Sequence, residues 1–178
     1  LGINKKIFVL AQPNVQNNFK NELFDARKLK QINGIWTLKS CIGEQLLKEI
    51  NCNSIKMTKE AIVKAISKLI RNAYKFIGYE EFASYIIALS NIEGDYKKET
   101  KKVIIRKKLN SLLENTLIVI DEVHNIRAGT EKKPKRIYDT LMILANYVDN
   151  LRFLFLSATP MFNQPTEIIW LMNMLLKN

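Results

Sequence analysis

The stretch TLIVIDEVHNIR, Thr116–Arg127, decides the fold. Its aliphatic run from Leu117 to Ile120 has no polar interruption, the pattern of a strand covered on both faces, as in parallel sheets. The run ends on two carboxylates, Asp121 and Glu122, and His124, the chain's one histidine, follows two residues later. In open parallel sheets, functional groups gather beyond the carboxyl ends of the strands. An acid placed directly there can hold Mg²⁺ through water, and a second acid beside it can orient or deprotonate a water attacking a phosphate. His124 can exchange a hydrogen bond with a neighbouring loop. Acid pairs after strands also serve as helix caps and solvated turns, and a lone histidine is often purely structural. On these residues alone both readings stay open.

Outward from this stretch, strands alternate with helices. KKIFVLAQP (Lys5–Pro13) is a short branched and aromatic run closed by proline, read as a buried strand and a turn. NVQNNFKNELFDARKL places Val15, Phe19, Leu23 and Phe24 at helical spacing, with Asn14 as the expected cap. Gln31 to Asn53 shows no regular pattern except a short helix over EQLLKEI. TKEAIVKAISKLIRNAY is an amphipathic helix starting near Thr58, and KFIGYEEFASYIIAL reads as strand, turn at Gly78, and helix. A helix continues the basic stretch through VIIRKKLNSLLEN. After the acid pair come a basic loop, a helix over KRIYDTLMILANYVDN, and a second buried strand in LRFLFLSATP. An apolar helix over QPTEIIWLMNMLL, with Pro165 in its first turn, closes the chain. This alternation predicts an open, mostly parallel α/β sheet with helices on both faces.

Length and composition set outer bounds. With 178 residues, 47% of them hydrophobic, one domain with a sizeable core is expected. No apolar run approaches the roughly 20 residues of a membrane helix, so no membrane partner is expected. Cys41 and Cys52 form no CxxC pair, which indicates neither a zinc site nor a disulfide framework and fits a reducing, intracellular compartment. The formal charge of +11, from 28 basic and 17 acidic residues, favours a polyanionic partner such as nucleic acid. Its densest cluster, YKKETKKVIIRKKL (Tyr96–Leu109), makes Lys101, Lys102, Lys107 and Lys108 candidate phosphate contacts, against the alternative of a merely solvated helix face. No aromatic residue interleaves the lysines of KKETKKVIIRKK, so no base-stacking platform is read there.

VIDEVH followed by LFLSATPMFNQPTEIIWLMNMLL resembles motifs II and III of superfamily 2 helicases and translocases of the DExH type. The extended second motif looks closest to the Swi2/Snf2-like branch, and to the helicase-like triphosphatases and early transcription factor subunits of poxviruses and other large DNA viruses. The resemblance implies a RecA-like first lobe that binds ATP and Mg²⁺. Asp121 would be the metal-side acid, Glu122 the catalytic base, His124 a coupling residue, and Ser157, Ala158 and Thr159 the segment that relays nucleotide state. IFVLAQPNVQNNFKNEL is similar to the family's motif Ia, which implies contact of Gln12 and Pro13 with the nucleic-acid backbone. FIGYEEFASYI is similar to the strand and tyrosine-bearing turn before motif II, which adds Tyr79 as a nucleic-acid contact.

Nowhere does the sequence contain G-x-x-x-x-G-K-[ST], the loop whose amides and lysine grip the β and γ phosphates. The chain also begins with leucine. The expectation is therefore a helicase ATP-binding domain over residues 1–178, truncated at both ends. Its RecA-like sheet would lack the phosphate-loop strand, and the second RecA-like lobe would lie beyond Asn178. Alone, the segment is expected to hydrolyse ATP poorly. In the complete protein, hydrolysis would drive movement on DNA or RNA, with transcription-machinery partners a further expectation and, if viral, host cytoplasm or virion as the location. Two alternatives stay open: a non-hydrolysing helicase-like binding or scaffolding module, and the motor of a restriction endonuclease.

Overall fold

The computed structural model describes residues 6–126, 132–160 and 167–176. In chain order these form β1 (Lys6–Leu10), α1 (Pro13–Leu23), β2 (Leu29–Ile32), β3 (Ile35–Leu38), α2 (Gly43–Glu49), α3 (Lys59–Ala73), β4 (Tyr74–Ile77), α4 (Tyr79–Ser90), α5 (Lys98–Leu113), β5 (Thr116–Ile120), α6 (Lys132–Tyr147), β6 (Arg152–Phe155) and α7 (Glu167–Leu176). Pro165 and the loop over residues 127–131 lie outside the described residues. The elements divide into two compact units, one from the segment through Gln12 together with the chain from Phe76 onward, the other from Pro13 to Lys75.

The first unit is an α/β sheet flanked by helices, with strand order β4-β1-β5-β6. β1 runs parallel to β5, pairing Leu10 with Ile120, and β5 runs parallel to β6, pairing Ile120 with Phe155. Alternate residues Phe8, Leu10, Ile118 and Ile120 enter one core; Val9 and Val119, a half-period away, are buried as well. Burial on both sides is why β5 reads as an unbroken apolar run. The helices reach this core by stripes at helical spacing: Phe82, Ala83 and Ile86 in α4, Leu109 and Leu113 in α5, and Ile137, Leu141 and Leu144 in α6. Phe8 meets Phe82 edge-on at 5.8 Å. Each fully buried side chain of this size contributes roughly 1.5–3 kcal/mol, so about a dozen of them dominate the unit's stability.

One strand departs from its reading. LRFLF was expected to be buried, yet β6 ends the sheet and alternates, with Phe153 and Phe155 against the core and Leu154 46% exposed. With β5 on one side and no described strand on the other, only the face packed by the phenylalanines is covered.

The second unit supplies the regularity that the sequence hid between Gln31 and Asn53. β2 and β3 form an antiparallel hairpin with Ile32 opposite Ile35, turning on Asn33 (φ 50°) and Gly34 (φ 79°). Two positive φ values in a two-residue loop match the right-handed twist of the flanking strands. α2 packs beneath, so close that a Cβ on Gly43 would lie 2.2 Å from the Leu38 carbonyl oxygen. Leu29, Leu38, Leu46, Leu47, Cys52, Ile62 and Ile66 make this unit's own core. Thr58 caps α3 as expected, its hydroxyl accepting from the Ala61 N–H at 3.3 Å. Asn14 does not cap α1. The helix starts at Pro13, whose fixed φ suits the first helical position and whose missing N–H costs nothing there.

Candidate active site at the carboxyl edge of the sheet

Parallel pairing brings the ends of β1, β5 and β6 to one edge. Leaving β5, the chain is pinned on both sides: the Asp121 N–H donates to the Leu10 carbonyl at 3.0 Å, and the Val123 N–H to the Leu156 carbonyl at 3.0 Å. Between these anchors Glu122 swings into the left-handed region, with φ 47° and ψ 49°. A 3-10 turn over Val123–Asn125 follows, closed by the Asn125 N–H on the Glu122 carbonyl at 2.9 Å and held down by buried Val123 and Ile126. Left-handed geometry costs a residue with a Cβ roughly 1–2 kcal/mol, a strain typical of functional loops.

The side chains converge from three strand ends. His124 Nδ1 lies 2.9 Å from Ser157 Oγ, joining the end of β5 to the end of β6. Glu122 Oε2 lies 3.1 Å from the same nitrogen, close enough for charge attraction when the ring is protonated. That oxygen is nonetheless buried without a hydrogen bond. Ser157 Oγ also accepts from the Thr159 N–H at 3.1 Å, while Ala158 and Thr159 are themselves exposed. Tyr79, first residue of α4, donates its hydroxyl to the Asp121 carbonyl.

Electrostatics follow from this crowding. The Asp121 carboxyl is pushed above its ordinary value by burial first and by the charge of Glu122 second. Tyr79 is pushed up to about 12, again by burial first, then by Asp121 and Glu122.

Of the residues expected at a site, Asp121, Glu122, His124, Ser157, Ala158, Thr159, Tyr79 and Gln12 share this edge; Pro13, next to Gln12, opens α1. The lysine cluster is not brought to it. Arg106 and Asn110 of α5 bond to Asp149, in the loop that enters β6, at 2.7 Å each, which puts Lys107 and Lys108 near the opposite, amino edge. Lys102 pairs with Glu99. Sequence reasoning missed the strained backbone of Glu122, and it missed that the Tyr79 hydroxyl is engaged by the acid loop.

Among the described residues, no three His, Cys, Asp or Glu side chains gather as a metal-holding group, and no helix is long and apolar enough to cross a membrane. Two adjacent carboxylates still fit a hard cation. Asp121 is disfavoured as an anion by its burial and its neighbour, and Glu122 Oε2 is a buried acceptor that makes no hydrogen bond, with the His124 ring nitrogen 3.1 Å away beside it. Mg²⁺ needs one or two protein carboxylates, with water and substrate phosphates completing its shell.

The chain is 28% identical over 179 residues to a protein named "Putative ATP-dependent RNA helicase R563" from Acanthamoeba polyphaga mimivirus, an alignment covering 97% of the chain and 25% of that protein. It is 28% identical over 174 residues to "Putative helicase 087L" of Invertebrate iridescent virus 3, covering 97% and 14%. A second mimivirus protein, named "Putative ATP-dependent RNA helicase L377", is 26% identical over 187 residues, covering 96% and 14%. The chain thus spans about a quarter or less of the length of these curated relatives. No family model matches it. No solved structure matches it either.

Proposed function

We propose that these residues form the first RecA-like lobe of a superfamily 2, DExH-type helicase or translocase, and that the complete protein hydrolyses ATP to move along nucleic acid. The observation that carries this reading is Glu122, an acid held in left-handed geometry at the mouth of a buried parallel strand, beside a histidine bonded to the serine of the neighbouring strand end. The helicase names of the three viral relatives support the same class.

Within this reading Asp121 would hold Mg²⁺, which would supply positive charge against the triphosphate. Glu122 accepts the proton of the water that attacks the terminal phosphate, with His124 Nδ1 3.1 Å from its Oε2 to orient the carboxylate. The His124–Ser157 bond ties that acid loop to the segment after β6, so a change in the position of Glu122 reaches Ser157, Ala158 and Thr159. Tyr79 braces the loop through the Asp121 carbonyl. Gln12 and Pro13 are proposed as backbone phosphate contacts at the same edge, and the α5 lysines as a separate electrostatic surface.

The test is the Glu122→Gln change in the complete protein. Turnover of ATP is expected to fall by about a hundredfold or more while ATP binding persists. Near-normal turnover would remove Glu122 from the base role, and absent turnover in the unaltered protein would favour a non-hydrolysing binding module.

A further inference from the structure

The second unit has an open pocket of about 510 Å³ between the β2–β3 hairpin and α2. Its lining is mixed. Trp36 and Leu47 supply apolar surface, Lys39 and Lys48 supply cations, and Asn51 and Asn53 supply amides. Among the described residues neither Lys39 nor Lys48 holds an ion pair, and both are exposed.

Trp36 is fixed there. Its indole N–H donates to the Met57 carbonyl at 3.0 Å, and its own backbone N–H and carbonyl are both bonded by the Asn53 side chain, at 2.7 and 3.2 Å. The ring is half-buried, packed on one side against the unit's core, and lines the open pocket beside two exposed lysines with no ion pair among the described residues. An aromatic ring so placed can serve as a stacking platform with phosphate contacts at hand. The lining carboxylate, Glu44, is an acceptor for base amino groups. Across Pro13 to Lys75, basic side chains outnumber acidic ones more than two to one, so the surrounding field attracts an anionic strand.

We infer that this cavity takes a base of a single-stranded nucleic acid, stacked at Trp36, with flanking phosphates on Lys39 and Lys48. It belongs to the second unit, in a stretch without a recognised motif, and it needs no nucleotide hydrolysis.

The test uses the 178-residue chain carrying Trp170→Phe, which leaves Trp36 as the only tryptophan. Single-stranded oligodeoxyuridylate and oligouridylate of about twelve nucleotides, and a duplex of equal length, are titrated without ATP while tryptophan fluorescence is read. Quenching by either single strand is expected, with the stronger of the two naming the sugar and little response to the duplex. Adding Lys39→Ala and Lys48→Ala should weaken binding about tenfold and flatten the slope of log K against log salt by about 1.4, with circular dichroism unchanged. No quenching, equal quenching by the duplex, or an unchanged affinity and slope in the double lysine variant would overturn the proposal. Because ATP is absent, failure of the proposed hydrolysis leaves this result untouched.

Discussion

Tyr79 shows how one side chain ties two elements of the site together. Its hydroxyl donates to the Asp121 carbonyl, and burial with two nearby carboxylates favours the neutral phenol. The folded chain therefore holds this group at about 12 against an ordinary 10.0. The contribution is complete below pH 10 and is lost as pH climbs toward 12. The unaltered chain should lose more unfolding free energy between pH 9 and 11.5 than Tyr79→Phe does, as read from urea titrations at each pH. Parallel losses would take Tyr79 out of the balance. At neutral pH the same change should cost about 1 kcal/mol, since the Asp121 carbonyl loses its donor. The acids and His124 were legible because a buried strand ending in carboxylates is a local pattern. The left-handed turn of Glu122 was not. It arises from bonds to Leu10 and Leu156, residues more than thirty positions away at either side.

At the scale of elements, the strands and helices of the sheet were legible wherever one face or two were fully buried, as in β5 and α6. The hairpin was not, although Asn33-Gly34 is a strong turn signal, because its strands have four residues each and only Leu29 and Leu38 are buried. What fixes it is contact from outside, chiefly α2. A methyl group at Gly43 cannot fit against the Leu38 carbonyl, so Gly43→Ala should destabilise the second unit by about 1–3 kcal/mol. Hydrogen exchange would show it as faster exchange at Ile35–Leu38, and unchanged protection there would mean that α2 shifts without loss. α5 makes a different prediction. Its apolar side is tied to the core by Leu109 and Leu113, which leaves Lys107 and Lys108 exposed. Replacing Lys101, Lys102, Lys107 and Lys108 with alanine should leave the fold intact and reduce the salt dependence of duplex binding by up to about 3.6 in log–log slope. An unchanged slope would return the helix to a solvated face.

At the scale of the whole chain, two features oppose each other. The charge of +11 repels other copies, whereas β6 offers an unpaired backbone edge with Leu154 46% exposed on it, among the described residues. Edge strands that natural proteins leave open usually carry outward charge; β6 carries one at Arg152, and two residues on, at Leu154, has an apolar side chain instead. Repulsion between copies acts over about 30 Å at 0.01 M salt but only about 10 Å at 0.1 M and 3 Å at 1 M. Edge pairing acts at about 4.8 Å, well inside the first two distances. Salt should therefore unmask it. Light scattering of the 178-residue chain is expected to show monomer in low salt and growing association as salt rises toward 1 M. Leu154→Lys should suppress that growth by placing a charge where two edges would meet, whereas Leu112→Lys, a change to an equally exposed leucine on α5, should not. If both variants associate like the parent, the contact is apolar and nonspecific, and the β6 edge is protected by geometry the charge argument does not need.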